Sequence, residues 1–470
     1  MQVSNFKRSY LGHLLFIVLG IFSLYFWQER TLILDAAFQS YLFISTGHPA
    51  IMVERFGAGL THLLPLLGVY LGLKLKYVLI LYSLSIVLFH YVLLLINQLT
   101  LKNNAISVAI VLFNLFLIGD SFFWMQNELL QGISLMFLMW SFFIKKQDIH
   151  NFSWMDYFIG FGLIATVIYY HPLILFPLSF VWLFFFIDEK VTINRRLLWA
   201  LAIVCTLVFI SKYLFRQPNF YDRGMTSQYV REFHFSFDTF VHSIGFNMFK
   251  DHLWGTFLFL IPSYVAVNFF YLKNRKYLKV GLVNIFSLSY FVLITQRYLD
   301  DTRWYTAECH YQPLAVFIII PFVFDILPLI KSPKIIILGF IAFAVIRLTA
   351  IFQTHESYTV RLDYIKSLID APTLIGRRKI ILEENTIDKK ILMMTWGMPY
   401  ESVQISSLKS PDSTKIIVLT ENGLEKQKEL SNSKDSMVTF LMLPKIAFKD
   451  LPKSYYNVRN TEGYQFSNKK

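Results

Sequence analysis

The sequence predicts an all-α polytopic membrane domain followed by a small C-terminal α/β or α+β domain. Three observations carry that prediction. The 470 residues are 55% apolar and only 16% charged, whereas a soluble domain is about a quarter charged. The apolar residues fall in long runs separated by short basic clusters, the pattern of a chain that crosses a bilayer repeatedly. After about Phe352 the composition turns polar, and short β-rich runs replace the long apolar ones. The formal net charge of +13 does not argue for nucleic acid, because much of the basic excess lies in short loops where it sets orientation.

About 18–20 apolar residues make one helical crossing. On that ruler, spans are expected at 10–27, 77–97, 104–119, 129–144, 155–170, 172–188, 197–214, 252–272, 279–296, 313–330 and 335–352, about eleven in all. The first follows Lys7 and Arg8 without a small-residue cleavage site, so it reads as a retained anchor with a cytoplasmic N-terminus. The segment Gly59–Lys76 decides the topology. It is apolar but short, and holds His62, Pro65, Gly68 and Gly72. If it crossed, Lys145, Lys146, Arg195, Arg196 and the cluster Lys273–Lys279 would face outward. If it lies in the interface, they join Lys7, Arg8, Lys102, Lys331 and Lys334 inside, as the positive-inside rule favours.

The outward side then holds a long first loop at 28–76, a short loop at 119–128, the turn at 169–172, a middle loop at 215–251 and the loop at 295–313. Residues 1–352 are expected to form the membrane domain and 353–470 an extracytoplasmic one. The latter opens on the amphipathic stretch "HESYTVRLDYIKSLID", with strand-like runs "KKILMMTW", "TKIIVLT" and "MVTFLML". There is no internal repeat. Cys205 and Cys309 lie at different depths and form no C-x-x-C, so neither a disulfide nor a thiolate metal site is expected.

Charge and chemistry gather on the outward loops. Asp35 stands among apolar neighbours in "LILDAAFQSYLF". That suits either a partly desolvated base for a hydroxyl or an N-cap of the helix that follows. Asp120 and Glu128 bracket "SFFWMQN". They suit a shared proton, a divalent cation or an acceptor hydroxyl, and equally suit helix N-termini. His171 precedes Pro172 in the tightest turn, either as a boundary residue or as a phosphate donor. Arg30, Arg55, Arg297 and Arg303 fit bidentate phosphate binding, with pairing to nearby acids or lipid headgroups as the other reading. Asp301 and His310 share their loop with Tyr298, Trp304, Tyr305 and Tyr311, a mixture that fits sugar stacking or an interfacial aromatic belt. Within the spans, Asn114 and Asn284 stand out as the main polar residues, which favours surface chemistry over transport.

A first span, a large outward loop with the early aspartate of "LDAAFQ", then "GHP" and "ERFGAGLTHLLP", a second acid at Asp120 or Glu128, and a small terminal domain: this order resembles the GT-C superfamily of integral membrane glycosyltransferases. The resemblance covers most of the chain but is architectural. It implies transfer from a polyprenyl-phosphate-linked sugar to a lipid, glycan or protein hydroxyl, at the outer face of a bacterial-type cytoplasmic membrane. It also implies Asp35 as the acceptor's base, Asp120 or Glu128 as the second acid, and Arg297 and Arg303 at the donor phosphate. Asp35 lacks the close acidic partner common in that family, Glu29 being six residues away, and the longer motifs of oligosaccharyltransferases and protein mannosyltransferases are missing. The alternatives are a lipid-linked sugar flippase, a surface-polysaccharide polymerase or ligase, and a scaffold whose tail binds partners.

Overall fold

The computed structural model describes residues 5–188, 193–214, 236–296, 304–421, 423–431, 435–437, 446–458 and 463–467. The membrane part is built from α1 (Asn5–Tyr25), α2 (Trp27–Thr31), α3 (Leu34–Thr46), α4 (Leu63–Tyr70), α5 (Leu75–Leu95), α6 (Asn104–Phe116), α7 (Asp120–Phe123) and α8 (Glu128–Lys146). It continues through α9 (Trp154–Tyr170), α10 (Leu175–Ile187), α11 (Arg195–Leu214), α12 (Phe237–His242), α13 (Ile244–Asp251), α14 (Leu260–Lys273), α15 (Tyr277–Gln296), α16 (Trp304–His310) and α17 (Gln312–Pro321). The long α18 (Pro333–Ile369) leads out of it, and α19 (Lys389–Leu392), α20 (Met398–Ser407) and α21 (Gly423–Ser431) belong to the C-terminal unit.

Among the described residues, five segments are long and apolar enough to cross a membrane: Leu75–Leu101, Glu128–Lys146, Tyr277–Gln296, Ala307–Leu329 and Pro333–Ile369. Shorter apolar helices cover Tyr10–Tyr25, Asn104–Phe116, Trp154–Tyr170 and Pro172–Ile187. The expected span at 252–272 is helical only from Leu260, because the preceding residues turn around Gly255, whose carbonyl accepts from Arg347 Nη1 at 2.6 Å. Helices α6, α8 and α17 form the enclosed centre, with Phe113, Phe137 and Phe317 fully buried. Around it α1, α9, α11, α14, α15 and α18 turn apolar side chains such as Ile17, Phe161, Ile203, Val265, Ile285 and Leu338 outward, as lipid-facing helices do. Exposed Tyr25, Tyr70, Tyr77 and Trp254 mark one end of the bundle, and Tyr10, Trp154, Trp199 and Tyr277 the other. Aromatic residues concentrate at those two levels because their rings are amphipathic.

The segment that decides the topology is a 3₁₀ turn, Phe56–His62, followed by α4. The eight α-helical residues rise about 12 Å and the seven 3₁₀ residues about 14 Å more, together somewhat less than a hydrocarbon core of about 30 Å. Phe56, Leu60, Leu63, Leu67 and Tyr70 are all exposed and recur along one face, while Pro65 and Gly68 are buried. That is the pattern of a helix lying along an apolar surface.

The spans are not as clean as the sequence pattern suggested. Lys279 bonds Asp188 at 2.7 Å and Asp325 at 2.6 Å, and Tyr271 and Lys276 complete a buried ion cluster at the end opposite the first loop. Arg347 is fully buried in α18, and His90, Asn97, Gln131 and Ser134 are buried in the segments built on α5 and α8. Each was overlooked because a single polar residue barely lowers the mean hydropathy of a twenty-residue window.

At the C-terminal end, α18 runs unbroken through positions 352 and 353, where the domain division was expected, and incorporates the amphipathic stretch at 355–369. Beyond it lies a three-stranded parallel sheet in the order β2-β1-β3, with β1 at Lys379–Glu383, β2 at Ile416–Thr420 and β3 at Gln465–Phe466. The run "TKIIVLT" contains β2, but "KKILMMTW" forms α19 and a turn, and the central strand is "KIILE" instead. Only Met437 of "MVTFLML" is among the described residues. Helix α20 makes the crossover between β1 and β2, and thereby turns one face toward the first loop.

Candidate functional site

The first loop folds back over the bundle. Gly47, at φ 70°, closes α3 in the left-handed conformation that glycine adopts without a side-chain penalty. Asp35 lies in the first turn of α3, where a negative charge is favourable, but the N-cap is Ile33 and makes no side-chain cap. Asp35 is therefore not an N-cap. It is partly buried, and both it and Glu128 lie within electrostatic range of the Tyr82 hydroxyl. Tyr82 is fully buried in α5, accepts a hydrogen bond from the Gln126 amide and meets Phe43 edge-on at 5.0 Å. Glu128 opens α8, whose N-cap is Asn127, with Oδ1 accepting from Leu130 N at 3.1 Å. The carboxylate of Glu128 instead accepts from Arg55 Nη1 at 3.0 Å, both side chains being nearly buried. Tyr170 pins the turn after Arg55 by donating to the Gly57 carbonyl at 2.7 Å. Asp35 and Glu128 thus both act electrostatically on Tyr82, and Arg55 joins them through its ion pair with Glu128.

Asp120 belongs to a neighbouring group. The Glu308 carboxylate accepts from Gly119 N at 2.9 Å, Asp120 N at 2.8 Å and Ser121 N at 2.8 Å, and Thr256 Oγ1 donates to it at 3.2 Å. Glu308 is therefore the anion at the N-terminus of α7, and Asp120 stands beside it. Burial first, and the Glu308 charge second, push the Asp120 carboxyl well above the ordinary carboxylate range. One oxygen, Oδ1, is buried without a hydrogen-bond partner among the described residues. The loop from Leu117 to Asn127 is buried throughout, and its carbonyls are held from several sides. Arg347 donates to Leu115 O at 3.0 Å and Ile118 O at 2.6 Å, Gln312 to Leu117 O, and Arg30 to Phe122 O. Arg30 also donates to Ser83 Oγ at 2.8 Å and Ser83 O at 3.1 Å, and its guanidinium lies 4.0 Å from the Phe122 ring centre. Burial lowers its pKa to about 9, which leaves it charged at neutral pH. Its hydrogen bonds serve loop packing.

His171 and His310 approach each other, ring centres 5.8 Å apart. His171 Nδ1 accepts from Leu173 N at 3.2 Å, the boundary role expected before Pro172, and His310 Nδ1 lies 3.6 Å from Cys309 Sγ. Helix α16 carries Glu308 to the α7 group and His310 to His171, linking the two. Arg297, Asp301 and Arg303 lie outside the described residues. Among the described residues, no group of three or more His, Cys, Asp or Glu side chains is placed to hold a metal ion.

No family model, no curated protein and no solved structure matches this chain. The site therefore rests on its own geometry. Sequence reasoning placed Glu308 among the acids of the 295–313 loop without giving it a role, and missed Tyr82, Arg347, Arg361 and Glu401. A lone arginine in the apolar run at 335–352 was the available signal for Arg347, since ionisable residues in such runs are costly. For Tyr82 and Glu401 the sequence carries none, because each acquires its role from contacts made across hundreds of residues.

Proposed function

We propose that the chain is an integral membrane glycosyltransferase. It moves a sugar from a polyprenyl-phosphate-linked donor to a lipid, glycan or protein hydroxyl at the outer face of a cytoplasmic membrane. The observation that supports this reading best is a partly buried Asp35 that shares the electrostatic surroundings of Tyr82 with the Arg55–Glu128 ion pair, on the first-loop side of a bundle of apolar helices. A partly buried carboxylate suits proton removal from an acceptor hydroxyl. As the acceptor oxygen bonds to the sugar's anomeric carbon, its proton passes to Asp35 and the bond to the donor phosphate breaks. The electron pair leaves with the phosphate, whose charge needs cations nearby. Arg55, ion-paired to Glu128, is one candidate, while Arg297 and Arg303 are the residues the family resemblance supplies. A divalent cation would serve the same charge.

A second reading, a lipid-linked sugar flippase, is favoured by the polar side chains inside the apolar segments. His90 Nδ1 meets Ser134 Oγ at 2.9 Å, and the amide of Gln131 has no partner among the described residues. Proteoliposomes loaded with a polyprenyl-phosphate radiolabelled in its hexose separate the two. A transferase moves label out of the organic-soluble donor, and Asp35→Asn at equal abundance abolishes that loss. A flippase carries the donor across uncleaved. Unchanged transfer by Asp35→Asn would remove Asp35 from the chemistry.

A further inference from the structure

Among the described residues, seven other than glycine have positive φ. Lys102 and Gln147 cap the C-termini of helices and Arg275 lies just past one, where left-handed backbone is ordinary. Val53 and Glu54 lie in the turn beside Arg55. Met393, at 48°, is likewise the C-cap of α19, which leaves Leu34, at 46° in the first turn of α3; the two are 359 positions apart (393 − 34) yet flank one ion pair. Glu401, fully buried in α20, accepts from the Leu34 N–H at 2.9 Å through Oε1. Arg361, fully buried in α18, donates to both Glu401 oxygens, at 2.9 Å and 3.0 Å, and to the carbonyls on either side of Met393, Leu392 O and Met394 O. Gly397 closes the contact, since a Cβ there would lie 3.0 Å from Leu34 Cα.

Neither feature serves folding economically. A left-handed leucine costs about 1–2 kcal/mol, and a buried ion pair gains little over apolar packing. Strained backbone that its surroundings hold in place is characteristic of functional sites. The residue after Leu34 is Asp35. We propose that the Arg361–Glu401 pair is a positioning device that fixes the Leu34 peptide and so aims Asp35, making the C-terminal unit part of the active centre. This rests on the reading of Asp35 as the acceptor-facing acid. Asp35 is the group that acts, and Glu401 acts through it.

The test uses the full chain in detergent and reads modification of Asp35 by a water-soluble carbodiimide with methylamine, quantified on its peptide by mass spectrometry from pH 4 to 8. Glu401→Gln keeps one oxygen for the Leu34 N–H but loses the ion pair. It is expected to change the Asp35 modification rate at least threefold and to move the midpoint of its pH profile. Gln404→Ala removes another contact of α20 to α3, the bond to Ser40 Oγ at 2.8 Å, without touching Leu34. It is expected to lower Tm and leave the profile unchanged. Arg361→Lys, which keeps the charge with fewer donors, takes the place of Glu401→Gln if that variant fails to fold. An Asp35 profile that Glu401→Gln or Arg361→Lys leaves as in the wild type, whatever happens to Tm, overturns the proposal. If the profile moves but Asp35→Asn still transfers sugar, the positioning stands and the transferase reading falls.

Discussion

Glu308 shows how much of this molecule depends on one carboxylate. It accepts three backbone N–H bonds and a threonine hydroxyl in a buried place. Hydrogen bonds to a charged acceptor contribute about 1.5–3 kcal/mol each, so replacing one oxygen by an NH₂ group loses acceptors and sets donors against donors. Glu308→Gln is expected to cost about 3 kcal/mol or more, read as a large fall in Tm in detergent. Its neighbour Asp120 ties stability to pH. The folded chain holds the Asp120 proton more tightly than the unfolded chain, because burial and Glu308 disfavour the charge. Folded Asp120 thus contributes most below the ordinary carboxylate pKa of about 3.9, and that contribution is lost as pH rises through the raised folded value. Asp120→Asn carries no charge at any pH. Its Tm relative to wild type should be near zero difference at pH 4 and should climb as the buffer is taken to pH 9. A constant difference across that range would show that Asp120 is not the protonated partner. Arg30, whose acceptors are Ser83 Oγ, Ser83 O and Phe122 O, needs a planar fork. Arg30→Lys is expected to lower Tm while leaving any residual transfer per folded molecule unchanged.

At the scale of elements, the turn Phe56–His62 shows what sequence pattern conveys and what it does not. That the segment is short and interrupted was legible from Pro65, Gly68 and Gly72, because length and composition are properties of a window. That Gly57 is indispensable was not legible, because the reason lies on α9. A Cβ on Gly57 would sit 2.2 Å from the Tyr170 ring, so the rigid ring or the turn would have to shift. Gly57→Ala should displace the turn and break the Tyr170–Gly57 bond. Because Arg55 precedes it by two residues, the Arg55–Glu128 pair should loosen too. Tyr170→Phe, which loses only the hydroxyl, should cost about 1 kcal/mol. The comparison of their Tm values checks this: if Gly57→Ala is no worse than Tyr170→Phe, the turn is adaptable. The candidate acids were similarly half legible. Asp35 and Glu128 stood out as carboxylates in apolar surroundings, but their shared electrostatic effect on Tyr82 depends on how α3 and α8 fold against α5. The expected strand at 389–396 failed because its β-branched and apolar residues face α18 as a capped turn, with Arg361 taking the carbonyls of Leu392 and Met394.

The whole molecule is closed by a contact between its two sequence ends. The long α18, about 55 Å at 1.5 Å per residue, exceeds a hydrocarbon core of about 30 Å and carries the C-terminal unit onto the first loop. There α20 and its neighbours bury Phe38 and Tyr41 of α3 against Tyr400 at 4.8 Å and 5.4 Å, and Tyr41 against Tyr456 at 5.5 Å. Gln404 bridges them, donating to Ser40 and accepting from Tyr456. Tyr455 reaches the carbonyl of Leu73 beyond α4 at 2.8 Å. A tail that served only to bind partners would be removable without harm to the membrane part. Here its removal would uncover several large aromatic side chains, each contributing about 1.5–3 kcal/mol by burial, and would leave the Leu34 N–H without its carboxylate. A chain ending after Ile369 is therefore expected to insert in membranes but to lose the fold of α3, seen as proteolytic cleavage between residues 28 and 50 that the full chain resists. Resistance in the truncated chain equal to the full length would mean that the first loop folds on the bundle alone. The C-terminal unit would then be an appendage, and the site on that loop would owe it nothing.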